Sequence, residues 1–429
     1  MKLVPLALEH IQGHTALPFQ LYGGDGRLLL PANARLDNPR VLERLRQQRE
    51  VYVQPNDYEA WRRGMAKAVD TVLFTNAPLT QLAKARPDPV MRSGAPEQPG
   101  DLWENLVKML NAGMQSLGTD KPWLERVLEV HAKARGLAER RKEESLFHFV
   151  YTGGIITAFY SARQALRSMI MAGDLGRELK WDEDRIELLE KAALTMNIGM
   201  WRQQDQIVTH AKPLITPELQ AQMDTHAAES VRLLQEAGVA DELWLEAVRL
   251  HDDTSLAAQP IAQLQPAQQM AMLLNRVERY GALISRRAGR EALSPTQAAQ
   301  QVCLGADGRP DAMGALLLKV MSLYPPGSYV ALASNEVGIV LARGEHVRQP
   351  IVAALRNAQG MTMSEPRLRY TAQAQSAVRA ALRPSEVSTD PPLAKLQELR
   401  SFLRSAQAVS ASAAASGAPA QAATAGSES

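Results

Sequence analysis

A single cysteine, Cys303, stands in 429 residues. An intramolecular disulfide is therefore impossible, and a thiolate zinc cluster cannot form. Aromatic residues are scarce at 5%, while apolar residues reach 45%. With abundant Ala, Leu and Gln, that balance favours helices around a substantial core over a β-sandwich. No window approaches the ~20 apolar residues of a membrane span. The N-terminal run Met1 to His10 is apolar over too few residues for a signal peptide and lacks a small-residue cleavage site. A reducing cytoplasm is the expected location. Neither sign of charge dominates: 48 basic against 46 acidic side chains leave a net +2. That gives no footing for a nucleic-acid polymer as partner. There is no P-loop, no G-x-S-x-G elbow and no H-E-x-x-H. Cys303 lies beside Gly305 in an expected loop, with no His close in sequence, so a nucleophile role is unsupported. His10 and His14 have helical-ligand spacing, but Gly13 interrupts them.

What is present divides the chain. Pro18 to Tyr22 and Arg27 to Leu30 flank Gly23-Gly24-Asp25-Gly26, which reads as a β-hairpin. Leu42 to Arg49 has a helical pattern and Val51-Tyr52-Val53 reads as a strand. Residues 76–100 hold Pro78, Pro87, Pro89, Pro96 and Pro99, the mark of a linker. A helical stretch follows from Asp101 to Arg141, broken near Gly118 to Pro122, where Thr119 or Asp120 suits an N-cap and Pro122 a first turn. From Ser145 to Arg290 the pattern is almost wholly helical. Phe159, Leu166 and Ile170 recur at helical spacing, as do Leu219, Met223 and Leu234, then Trp244 and Val248. Tyr324 to Ser328 is a turn signal, and Tyr329 to Leu332 with Gly338 to Leu341 reads as a hairpin around Ser334-Asn335-Glu336. Beyond about Ser405 the chain is rich in Ala, Ser, Gly and Gln, and the expectation is disorder.

Several segments invite a chemical reading. Tyr160 to Leu166 includes Gln164, and Ala192 to Met200 contains Met196, Asn197 and Met200. Leu214 to Leu219 is followed by Thr225-His226. Ala247 to Asp253 contains His251 and Asp252, and Val277 to Leu283 contains Glu278. Arg287, Arg290 and Ala292 to Pro295 come next, then Tyr324 to Ser328 and Glu336 to Gly338. In this order, over roughly 145–344, the segments resemble an HD-GYP domain of the HD-domain metal-dependent phosphohydrolases.

The resemblance implies where metals would sit. The family places a metal-binding His where Gln164 stands, a His-Asp pair where Met196-Asn197 stand, and a lysine at Met200. His226, His251 and Glu278 match ligand positions, while Asp252 replaces a second His. The Gly/Tyr loop that names the family is replaced by Thr254 to Pro260. Hydrolysis in this family requires closely spaced metals that polarise phosphate oxygens and lower the pKa of a bridging water, each held by several His and carboxylate ligands. An amide, a thioether and a second amide cannot replace them. His226, His251, Asp252 and Glu278 suffice for one metal at best.

Each survivor also has a purely structural reading. His226 shares a core-facing stripe with Leu219, Met223, Ser230 and Leu234. His251 suits a helix C-terminus, where a cationic imidazole is favoured. Glu278, flanked by Arg276 and Arg279, suits an ion pair, and Arg286, Arg287 and Arg290 suit a solvated helix face rather than a phosphate clamp.

The expected protein is mainly α: an HD-GYP-like helical bundle with a small C-terminal β-hairpin, preceded by a small α+β N-terminal domain. Its layout is an N-terminal domain over 1–75, a linker over 76–100 and connecting helices over 101–144. A degenerate HD-GYP-like domain then spans 145–380, and a C-terminal helix and disordered tail span 381–429. The expected role is a non-catalytic binding or regulatory module linked to cyclic di-GMP signalling, with a protein or a cyclic dinucleotide as partner and no cofactor. The alternative is a divergent cyclic-dinucleotide phosphodiesterase using one Fe, Mn or Zn ion at His226, His251, Asp252 and Glu278, with Arg287 and Arg290 contacting phosphate.

Overall fold

The computed structural model describes residues 3–6, 20–30, 51–55, 99–118, 122–211, 215–304, 311–389 and 391–415. The chain separates into two compact units, Met1–Gln98 and Pro99–Ser429. The proline-rich stretch 76–98, the helical pattern at Leu42 to Arg49, His10, His14 and the candidate caps Thr119 and Asp120 lie outside the described residues.

In the first unit, β1 (Val4–Leu6), β2 (Leu21–Tyr22), β3 (Leu28–Leu30) and β4 (Val51–Val53) form an antiparallel sheet of order β1-β4-β2-β3. The Gly/Asp hairpin expected around 23–26 joins β2 to β3, with Leu21 opposite Leu30. Strand β1 was not anticipated, because its three residues are too few to show alternation.

The second unit is mainly helical. Its helices are α1 (Pro99–Gln115), α2 (Trp123–Arg140), α3 (Lys142–Gly153), α4 (Tyr160–Glu178), α5 (Glu183–Thr195), α6 (Trp201–Thr209), α7 (Pro217–Glu236), α8 (Glu242–Leu250), α9 (Pro266–Leu283), α10 (Pro295–Cys303) and α11 (Ala312–Met321). Their starts follow local chemistry. Asp182, Thr216, Asp241, Ser294 and Asp311 each accept a hydrogen bond from the backbone N–H three residues on. Each thereby satisfies a donor that the helix cannot. Pro217, Pro266 and Pro295 occupy first turns, where the missing N–H costs nothing.

Helix α4 is buried along almost its whole length. Leu166 and Met169 on α4, Leu194 on α5 and Leu273 on α9 lie in one hydrophobic core, which also holds Trp103, Leu106 and Val127 from α1 and α2. Polar side chains buried on α4 find partners. Arg163 donates to both carboxylate oxygens of Glu104, at 2.7 and 2.6 Å. His148 lies 3.2 Å from the same carboxylate. Burial alone would push Glu104 up, but hydrogen bonds from His148 and Arg163 bring it down to about 2. Burial pushes His148 down, so the charged partner of Glu104 is Arg163.

The C-terminal part is larger than the expected hairpin. Strands β5 (Tyr329–Leu332) and β6 (Val337–Ala342) do pair antiparallel, Tyr329 opposite Ile339. They are joined by β7 (Ile351–Arg356), β8 (Thr362–Tyr370) and β9 (Val378–Leu382) in a five-stranded sheet of order β8-β7-β6-β5-β9. Strand β8 carries Pro366 and several charges, features that argue against a central strand but suit the sheet edge it occupies. Helix α12 (Leu393–Ala415) follows. Its Leu396 and Leu403 join Phe147, Ile339, Leu341 and Leu355 in a second core. The helix runs to Ala415, past the Ser405 after which composition suggests disorder, as an alanine-rich run readily allows. Residues 416–429 lie outside the described set.

Candidate metal and ligand site

Two histidines define the site. His226 lies mid-way along α7 and is buried; His251 caps the C-terminus of α8 and is wholly buried. Each ring is fixed by its own helix. His226 Nδ1 lies 2.6 Å from the Met223 carbonyl, and His251 Nδ1 lies 2.7 Å from the Val248 carbonyl. A carbonyl only accepts, so both Nδ1 atoms carry hydrogen. The two Nε2 atoms then face each other, 3.1 Å apart. Two neutral imidazoles would oppose lone pairs at that distance. The pair therefore calls for a shared proton or a cation.

The carboxylates gather around these nitrogens. Asp252 Oδ2 is 3.4 Å from His226 Nε2 and its Oδ1 is 3.8 Å from His251 Nε2. Glu278 Oε2, on α9, is also 3.8 Å from His251 Nε2. Asp252 is 56% exposed, so the cluster opens to solvent. Burial, and then the nearby charge of Asp252, push Glu278 up to about 7. Burial pushes His251 down. The spacing of His226, His251 and Asp252 suits one cation, and imidazole nitrogens with carboxylate oxygens are a donor set for Zn, Mn or Fe.

The positions where the resemblance expects further ligands are engaged otherwise. Asn197 donates through Nδ2 to Glu278 Oε1 at 2.5 Å, and its Oδ1 is buried with no hydrogen-bond partner among the described residues. Gln164 donates through Nε2 to the Glu278 carbonyl at 2.9 Å and accepts from Arg167. Arg167 also donates to Ser285 at 2.6 Å, and burial pushes it down to about 10. Met196 is fully buried in the main core, and its carbonyl accepts from Ser230 at 2.9 Å. Met200 ends a 3₁₀ turn and is buried.

Two glycines permit the close approach of these elements. A Cβ on Gly199 would meet the His226 carbonyl at 2.6 Å, and one on Gly281 would meet Arg167 Nε at 2.9 Å. Neither stands out in the sequence, nor does Asn275, which donates to the His251 carbonyl at 3.0 Å. Their signal is tertiary proximity, which no local spacing carries.

No family model and no curated protein matches the chain. Among solved structures it is similar to the HDG"Y"P protein Bd1817 from Bdellovibrio bacteriovorus, at 13% identity and a TM-score of 0.39, over 74% of this chain and 99% of that one. A likeness of that size assigns no activity.

Several sequence readings change here. Arg276 does not pair with Glu278 but with Asp311 at 2.7 Å. Arg287 and Arg290 are not on a helix face; they close a turn after α9, where the Arg287 N–H donates to the Arg290 carbonyl at 2.9 Å. The Arg287 side chain reaches Tyr160 Oη at 3.3 Å, while Arg290 donates to the Ala282 carbonyl at 2.5 Å. Cys303 is not in a loop: it ends α10, fully buried, and burial pushes its thiol up to about 11. That protonated thiol is inert at neutral pH. The segment replacing the Gly/Tyr loop forms a 3₁₀ helix, Thr254–Ala258, capped by Asp253. Among the described residues no helix is long and apolar enough to cross a membrane.

Proposed function

We propose that this chain is a degenerate HD-GYP-like signalling module that acts by binding, with a cyclic dinucleotide or a protein as partner, and not by two-metal hydrolysis. The observation that carries the reading is the engagement of Gln164 and Asn197. Both amides are spent in hydrogen bonds to Glu278, Gln164 at its backbone carbonyl and Asn197 at its side chain, so the carboxylate expected to hold metal is tied to a neutral amide instead. Neither amide supplies the charge that a second cation would need. The link to cyclic di-GMP rests on the ordered motif resemblance, and a cytoplasmic location belongs to the same proposal.

A second reading is favoured by the convergence of His226, His251, Asp252 and Glu278. His226, His251 and Asp252 lie close enough together to share one divalent ion, and Glu278 stands beside them, 3.8 Å from His251 Nε2. When bound, such an ion would polarise a phosphate oxygen or a water molecule. The chain's own contribution is to hold both Nε2 atoms bare by tying each Nδ1–H to a carbonyl, and to offer Asp252 on the solvent side. Glu278 must first lose the proton that burial favours.

Elemental analysis of the purified protein, with a cyclic di-GMP hydrolysis assay on the same sample, separates the readings. The expected result is at most one Fe, Mn or Zn per chain, lost in H226A, and no hydrolysis. Two ions per chain, or metal-dependent hydrolysis abolished by H226A, would overturn the binding reading.

A further inference from the structure

A cleft of about 220 Å³ lies between the α2–α3 junction, strand β6 and helix α12. Arg140, Arg141, Lys142, Arg400 and Arg404 line it. Its carboxylates are already committed. Glu139 pairs with Arg135 at 3.2 Å, Glu143 accepts from Arg343 Nε at 2.7 Å, and Glu144 pairs with Arg404 at 2.6 Å. Lys142 turns to Asp174 at 3.0 Å. Arg141 comes only within 4.0 Å of Glu144. Arg140 is exposed and pairs with no carboxylate among the described residues.

Arg400 decides the character of the cleft. Its guanidinium lies over the Phe147 ring, 3.9 Å from the centroid. Its Nε and Nη1 are buried, with no hydrogen-bond partner among the described residues. Two guanidinium nitrogens taken out of water without acceptors are destabilising unless a partner compensates them, and Glu144 acts on the group only through its charge. Packing on one aromatic face offsets only part of that cost. Burial also pushes this guanidinium down, to about 10. The missing partner is an acceptor with at least two oxygens, able to meet a planar fork.

We propose that this cleft is a site for a small oxyanion, a phosphate or phosphomonoester group, taken by Arg400 with Arg140 and Arg141 supplying further positive charge. A dianion suits it better than a single carboxylate, because more than one uncommitted cation faces the space. Binding there would tie α12 to the α2–α3 junction, and so link a small ligand to the docking of the C-terminal helix. The site does not involve the His226–His251 cluster and does not rest on the reading proposed for it.

The test is isothermal titration of the full chain with inorganic phosphate, glycerol phosphate and acetate, with circular dichroism to monitor the fold. Saturable binding of either phosphate, with acetate at least ~10-fold weaker, is expected. R400Q should weaken it by ~10-fold or more, because a charge-assisted bond is lost. R400K keeps the charge but not the fork and should also weaken it, and R140Q should do so by several-fold. If R400Q fails to fold, R400K and R140Q decide. The proposal is overturned by any of three results. One is no saturable phosphate binding, or acetate binding as tightly. Another is unchanged affinity in both R400K and R140Q. The third is binding lost in R287Q but kept in R400K.

Discussion

Asn197 stands where a charge would be most consequential. Its amide donates to Glu278 at 2.5 Å, so N197D would set two carboxylates face to face in a buried site. Repulsion and desolvation should destabilise the metal-free protein by ~2–4 kcal/mol. A cation would relieve that, and mass action at 100 times its dissociation constant returns about 2.7 kcal/mol. Thermal melts of N197D with and without Mn check this; a variant as stable as the wild type without metal would show that the introduced carboxylate does not face Glu278. A second residue-scale prediction concerns Glu104, whose pKa falls from 4.5 to about 2 on folding. A depressed carboxylate stabilises the fold above its unfolded pKa, and that gain disappears as pH falls from 4.5 toward about 2. The shift corresponds to a loss on the order of 3 kcal/mol. Urea unfolding from pH 7 to pH 2.5 should show that loss in the wild type. E104Q, less stable at pH 7, should show a shallower decline; equal slopes would refute the assignment.

At the scale of elements, α12 combines two compositions. Its alanine-rich end lacks large apolar residues, yet its first turns carry Leu396 and Leu403 into the core under β6 and β7. L396A should therefore cost ~2–4 kcal/mol, as for other buried leucines, with a lowered denaturation midpoint as the readout. Truncation after Ala406 removes only the alanine-rich end and should leave the thermal midpoint nearly unchanged. A fall of several degrees on that truncation would mean that the end of the helix is docked. The 3₁₀ turn at Ile198–Met200 shows the opposite case. Its local sequence says little, and its shape follows from Gly199 lying against the His226 carbonyl.

At the scale of the molecule, the division at Gln98 and Pro99 predicts that residues 99–429 fold alone. That fragment should melt cooperatively, within a few degrees of its transition in the full chain. A molten, dye-binding fragment would show that the first unit completes the core. Much of this architecture was legible beforehand. Periodicity placed α7 and α8 through Leu219, Met223, Leu234, Trp244 and Val248, and turn chemistry placed the hairpins at 23–26 and 334–336. These are local preferences, decided by backbone sterics and by which face must leave water. The residue types at 164, 196 and 197, two amides and a thioether, were likewise plain in the sequence. What the sequence could not decide was pairing. Strands β7 to β9 depend on partners far along the chain. Two imidazoles 25 residues apart meet at 3.1 Å only because α7 and α8 pack together. Arg400 acquires its two buried nitrogens without a hydrogen-bond partner among the described residues only when α12 docks beside Phe147. Burial and proximity set those energies, and both belong to the folded chain.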